Sequence, residues 1–142
     1  MREDPTFHRT NGEIYGRDGC RVPIPWETAG PAFGFSGSGE SWLAQPTSFA
    51  HFARDLQQGD PASTLALYRA ALALRAEQVL GTGSVLWLDG YGHNGVALRN
   101  DTIAVIANIG DAPVTLPAGE VPIVSGPLAA RALPRDTAVW IA

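Results

Sequence analysis

The sequence predicts an α+β chain in three stretches of different character. Residues 1–46 are rich in glycine and proline, residues 47–80 carry apolar side chains at helical spacing, and residues 84–142 break into short β-branched and aromatic runs. No helix is expected between those last runs, which fits a small antiparallel sandwich or barrel-like domain better than alternating βαβ units.

A chain of 142 residues, 45% hydrophobic and 17% charged, is long enough for a packed core and too apolar for general disorder. Fourteen carboxylates stand against ten arginines and no lysine, without a basic run. No stripe tracks phosphates, so nucleic acid is not an expected partner. The longest apolar stretch, near Leu65 to Leu74, is broken by Tyr68 and Arg69 and is too short to span a bilayer, so no membrane partner is expected either. The N-terminal MREDPTFHRTNGE lacks the basic residue and apolar run of a secretory signal. Cys20 is the only cysteine, which excludes an internal disulfide and suits a reducing, cytoplasmic location.

Residues 1–46 are expected to be mostly irregular. Pro23, Pro25 and Pro31 fix φ and remove donors, so PIPW reads as a rigid extended segment. A structureless stretch of this length inside a compact domain is usually an active-site loop or a piece separated from its support.

Thr47 or Ser48 then caps a helix in which Phe49, Phe52, Ala53 and Leu56 form one buried stripe, ended by Gly59. Asp60-Pro61, or Ser63 one turn later, starts a second helix running to about Val79 or Leu80 and stopped by Gly81-Thr82-Gly83. Its rows Leu65, Tyr68, Leu72 and Leu67, Ala71, Leu74 make a broad apolar face. Burying such leucines stabilises by roughly 1.5–3 kcal/mol each, so the helix needs a large surface to pack on.

Strands are expected at SVLWL, GVALR, TIAVIAN, PVTL, VPIVS and TAVWI, with a tight hairpin at Asn100-Asp101.

Chemistry is sparse. Glu3, Asp4, Asp55, Asp60 and Asp101 lie in polar settings and read as solvated charge; no pair on strand ends suggests the two flanking carboxylates of a glycosidase. His8, His51 and His93 lack metal-ligand spacing, and Cys20 reads as a small buried hydrophobe. No metal and no cofactor is expected. Gly34, Gly37 and Gly39 in GFSGSGE read as a turn, because no strand precedes them and no Gly-Lys-Ser/Thr follows. Trp26, Phe33, Phe35 and Trp42 suit either anchoring of the loop or stacking on sugar faces.

DPTF at 4–7, GRDGCRVPIPW at 16–26, FGFS at 33–36, WLAQP at 42–46 and DPASTLALYRAALALR at 60–75 together resemble one family. It is the bacterial α-glucosidases of glycoside hydrolase family 13, the oligo-1,6-glucosidase-like branch of the α-amylase superfamily. The closing LPRDTAVWIA is similar to the last strand of their C-terminal domain.

The resemblance implies a C-terminal fragment in two parts. Residues 1–80 would be the loop after strand eight of a (β/α)8 barrel with its last helices, and residues 81–142 an antiparallel β-sandwich domain. Loops at that end of a barrel border the active site, so Arg17, Asp18, Arg21 and Trp26 are the candidate substrate contacts, with bracing of the loop as the alternative role for each charged one. The full-length relatives are expected to hydrolyse α-glucosidic bonds of malto- and isomalto-oligosaccharides with retention. Their nucleophile, acid/base and transition-state-stabilising carboxylates belong to earlier barrel strands, so no catalytic residue is assigned and the isolated chain is expected to be inactive. Alternatives are a carbohydrate-binding module using Trp26, Trp42 and Trp87, or one chain of a split enzyme whose partner is a separately encoded barrel. Without a barrel, the Leu65, Tyr68, Leu72 face is expected to leave an apolar patch exposed.

Overall fold

The computed structural model describes residues 2–93 and 95–142, and divides into two compact units, Met1–Ala66 and Leu67–Ala142.

The first unit is built of short helical turns and extended chain, as its glycine and proline content requires. Helix α1 (Pro5–Arg9) starts at a DP pair: Asp4 caps it by accepting the Thr6 N–H at 2.8 Å, and Pro5 occupies the first turn, where its missing N–H has no partner to lose. Tight 3₁₀ turns follow at Asp18–Cys20, Pro31–Gly34 and Thr47–Phe52, before helix α2 (Arg54–Gly59).

The single helix expected from Thr47 is interrupted. Ala53 is extended (φ −61°, ψ 142°), so the phase set by Phe49 is lost at α2. Ala53 is fully buried, whereas Phe52 is 64% and Leu56 50% exposed, and the expected buried stripe does not form. Backbone partners account for the break. The first two N–H groups of α2, on Arg54 and Asp55, donate to the carbonyls of Pro25 (3.1 Å) and Trp26 (3.2 Å). The rigid PIPW segment thus satisfies orphan donors that a continuous helix would bond internally.

Helix α3 (Thr64–Glu77) is capped by Ser63, whose Oγ accepts the Ala66 N–H at 3.1 Å and donates to the Gln57 carbonyl at 2.8 Å. The last turn ends at Val79 in the left-handed conformation (φ 53°), followed by a 3₁₀ turn at Leu80–Thr82. No residue of α3 is buried, and Tyr68 and Leu72 are 64% and 60% exposed, so the apolar patch expected on this face is present.

Among the described residues the second unit holds seven strands: β1 (Val85–Trp87), β2 (Gly95–Asn100), β3 (Ile103–Asn108), β4 (Val114–Thr115), β5 (Ile123–Val124), β6 (Ala132–Leu133) and β7 (Thr137–Ile141). All pairings are antiparallel, with β1-β2-β3-β7-β5 in one sheet and β4-β6 in another. Six match the expected runs; β6, two residues long, carries no periodic signal of its own. The β2–β3 hairpin turns through Asp101 (φ 49°), pairing Asn100 with Ile103.

Ala97, Ala104, Ile106, Leu116, Leu133, Val139 and Ile141 form the core of this unit. The centre of the sheet carries most of it, since alternate residues of β7 point inward from a strand paired on both sides. Buried Asn108 has its amide satisfied: Nδ2 donates to the carbonyls of Ala112 (2.9 Å) and Leu133 (3.0 Å), and Oδ1 accepts the Gly110 N–H at 2.9 Å. No described helix is long and apolar enough to cross a membrane.

Candidate functional site

GRDGCRVPIPW is held by two carboxylates that the sequence gives no reason to pair. Asp4 Oδ2 accepts the backbone N–H of Arg17 at 2.9 Å and the Arg21 guanidinium Nη1 at 3.0 Å, while its Oδ1 caps α1. In return, Asp18 Oδ2 accepts the backbone N–H groups of Glu3 (2.9 Å) and Asp4 (3.1 Å). Both carboxylates are buried, at 3% and 5% exposure. Reading Asp4 as solvated surface charge is therefore a correction to make: its N–H partners supply the hydrogen bonds that water would otherwise give. Those N–H groups, Arg17 first and then Thr6, together with the charge of Arg21, hold the Asp4 carboxyl down at about 2.

Gly16 makes this approach possible. Its φ is +71°, and a Cβ there would lie 2.5 Å from Asp4 Cγ. The first glycine of the motif thus admits the carboxylate that fastens its arginines.

The four candidate contacts divide by role. Asp18 braces the backbone. Arg17 gives its N–H to that bracing, and its side chain is exposed without a hydrogen bond among the described residues. Arg21 is tethered to Asp4 with 41% of its side chain exposed. Trp26 is 47% exposed on a fixed backbone: its N–H and that of Glu27 both donate to the Phe33 carbonyl, at 2.8 and 3.0 Å. To present that carbonyl, Ala32 and Phe33 adopt left-handed conformations (φ 45° and 51°), which disfavour side chains larger than glycine's. Beyond Trp26, Asp55 accepts the Thr28 N–H at 2.8 Å and its hydroxyl, and the Thr28 N–H is the main cause lowering the Asp55 pKa.

Trp42, read only as anchor or stacking ring, belongs to the same site. Its Nε1–H donates to the Arg21 carbonyl at 2.9 Å, and it lines with Glu3, Asp18, Arg21 and Leu43 a hollow of about 440 Å³. The signal in sequence was the spacing of WLAQP after the motif, which names an aromatic without fixing where its ring lies. Trp87 belongs to the second unit, on edge strand β1. Cys20 is exposed rather than buried, its Sγ directed to the Arg17 carbonyl at 3.0 Å. Among the described residues no three His, Cys, Asp or Glu side chains gather as metal ligands.

No protein-family model matches the chain. A probable α-glucosidase of Rhizobium meliloti (strain 1021) is 40% identical over 119 residues, covering 80% of this chain and 21% of that protein. The crystal structure of an α-glucosyl transfer enzyme is 30% identical with a TM-score of 0.67, over 97% of this chain and 27% of that one. Isomaltulose synthase from Klebsiella sp. LX3 shares the fold at 22% identity and a TM-score of 0.73, over 98% of this chain and 28% of that one. The chain thus spans about a fifth of the curated relative and little more than a quarter of the solved ones.

Proposed function

We propose, from the premise that this chain belongs to family 13 of the glycoside hydrolases as a C-terminal part of an α-glucosidase-type enzyme, that its role is to complete and rim a substrate pocket whose reacting carboxylates lie on other strands. On this reading residues 1–80 are the loop after the last barrel strand with the closing helices, and residues 81–142 the C-terminal β domain. The assembled enzyme hydrolyses α-glucosidic bonds of malto- or isomalto-oligosaccharides with retention. Arg17, Arg21 and Trp26 face the sugar, and Asp18 holds their loop in shape.

The observation that carries this reading is the 40% identity to a probable α-glucosidase over four-fifths of the chain. The chain's buried carboxylates support it: Asp4 and Asp18 both accept backbone N–H groups that shape the loop. A retaining glycosidase instead needs two carboxyl groups about 5–5.5 Å apart across one bond, one of them free to give a proton. Exposed Tyr68 and Leu72 on α3 favour a barrel as the missing support, whether on the same chain or encoded separately. A cytoplasmic setting suits the exposed Cys20 thiol.

The test is an assay of the isolated chain on a chromogenic α-glucoside. It should show no turnover above the blank, and saturable, stereochemically retaining release of the chromophore would refute the assignment of catalysis to other strands.

A further inference from the structure

We propose that strand β1 is a dimerisation edge, pairing antiparallel with the β1 of a second copy of this chain about a two-fold axis through Leu86. The proposal is independent of the pocket-completing role, and either can fail without the other.

β1 closes one side of the five-stranded sheet, with β2 as its one partner among the described residues. The register decides which of its groups are free. Val85, Leu86 and Trp87 lie opposite Asn100, Arg99 and Leu98, and the Leu88 N–H donates to the Ala97 carbonyl at 3.0 Å. Antiparallel partners alternate between bonded and non-bonded pairs, so Leu86 and Leu88 bond to β2 while the N–H and C=O of Val85 and Trp87 point away from the sheet. Such a row of unpaired groups is a template for another strand. Edges are ordinarily blunted by lysine, proline or a bulge. Residues 84–88, SVLWL, hold no charge and no proline, the chain has no lysine, and the register with β2 runs without a bulge.

The side chains match the backbone. Val85, Leu86 and Trp87 are 55%, 63% and 72% exposed. Leu86 shares a face with Leu88, which packs against the core, and so carries the core to the rim of the sheet. On the other face Trp87 begins a row that runs through Leu98, Val105 and Trp140 to Ile123. Centring two copies on Leu86 is the register that overlaps β1 wholly with β1. It sets Val85 of each copy opposite Trp87 of the other as bonded pairs, β-branched against aromatic. The two Leu86 side chains then meet as a non-bonded pair, where cross-strand approach is closest. Asp89 falls opposite Gly83, so no like charges meet.

The free backbone groups require a strand as partner. A (β/α)8 barrel presents helices on its outside, and helices bond their own N–H and C=O groups internally. A second copy brings both the free groups and the matching alternation. Size sets the strength. With its flanking residues the edge offers roughly 500 Å² from each copy, about 1,000 Å² in all, which is below the standard interface and points to a weak, reversible dimer.

Sedimentation velocity of the whole chain from about 1 to about 300 μM should show reversible growth from one chain to two, with a Kd on the order of 10–100 μM. Leu86→Lys, which sets two like charges opposite each other, should abolish the dimer, and Leu72→Gln on α3 should leave it unchanged. Register is read in a Cys20→Ser background. There Leu86→Cys should oxidise with glutathione disulfide to a covalent dimer, whereas Trp87→Cys, lying opposite Val85 rather than its own copy, should not. A chain still monomeric at about 300 μM overturns the proposal. So does a dimer lost in Leu72→Gln, which moves the contact to α3, or equal cross-linking at positions 86 and 87. Should Leu86→Lys fail to fold, the wild-type association and the two cysteine variants decide.

Discussion

Asp4 and Asp18 brace each other's chain segment: Asp18 takes the N–H of Asp4 at 3.1 Å, and Asp4 takes the N–H of Arg17, the residue just before Asp18, at 2.9 Å. Two acidic groups are drawn to one place because each accepts donors that the irregular backbone would otherwise leave unpaired. The arginine-bearing loop is thereby shaped before any ligand or partner is present.

This brace should show in the pH dependence of stability. The Asp4 carboxyl sits at about 2 when folded, against an ordinary 3.8. A depressed folded value means that its contribution is complete above the unfolded pKa and is lost as pH falls from about 4 through about 2. Thermal melts of wild type and Asp4→Asn should differ by a constant amount above pH 5 and converge toward pH 2. A difference that grows on acidification contradicts the assignment.

Gly16→Ala should destabilise by roughly 1–3 kcal/mol, since it combines a left-handed φ with a clash against Asp4. Gly37→Ala is the control. A Cβ there meets nothing within 4 Å, and its φ is not in the left-handed region, so the change should stay within about 0.5 kcal/mol of wild type by urea denaturation. Equal effects at the two positions would remove the special role of Gly16.

In the β unit, Leu133→Ala should cost about 2–5 kcal/mol, because this fully buried side chain leaves a cavity in the core. Leu72→Gln on the exposed face of α3 should be close to neutral in stability and lower the binding of an apolar-surface dye. Unchanged dye binding places the exposed apolar surface elsewhere.

Val79→Gly should stabilise by roughly 0.5–1 kcal/mol. A β-branched residue at φ 53° carries left-handed strain, and at 60% exposure Val79 has little burial to lose. A lower unfolding midpoint for the variant would mean that Val79 contributes packing that outweighs its strain.

Six strands were legible because β-branched and aromatic residues cluster in runs of four or more bounded by Gly, Asn, Asp and Pro, as in TIAVIAN and TAVWI. β6 was not, since Ala132 and Leu133 are a strand only through their pairing with Val114 and Thr115. The Thr47 stripe failed for a tertiary reason: the carbonyls of Pro25 and Trp26 compete for the N–H groups of Arg54 and Asp55. The charged residues of GRDGC were visible as a motif. Their partner Asp4 was not, because it lies 13 positions before Arg17, beyond helix α1 and a turn, and no periodicity relates them. Trp42 was visible as an aromatic, and its tie to the Arg21 carbonyl became visible only with the fold.

The measurement that reaches the central claim most directly is turnover by a chimera in which this chain replaces the matching 119 residues of the Rhizobium meliloti probable α-glucosidase. The chimera should hydrolyse a chromogenic α-glucoside where the truncated relative without those residues does not, and Arg21→Ala should lower its kcat/KM about tenfold, a loss of roughly 1.4 kcal/mol of transition-state stabilisation. A chimera that folds with a cooperative melt yet releases no chromophore, while the intact relative does, would contradict the role assigned to this chain.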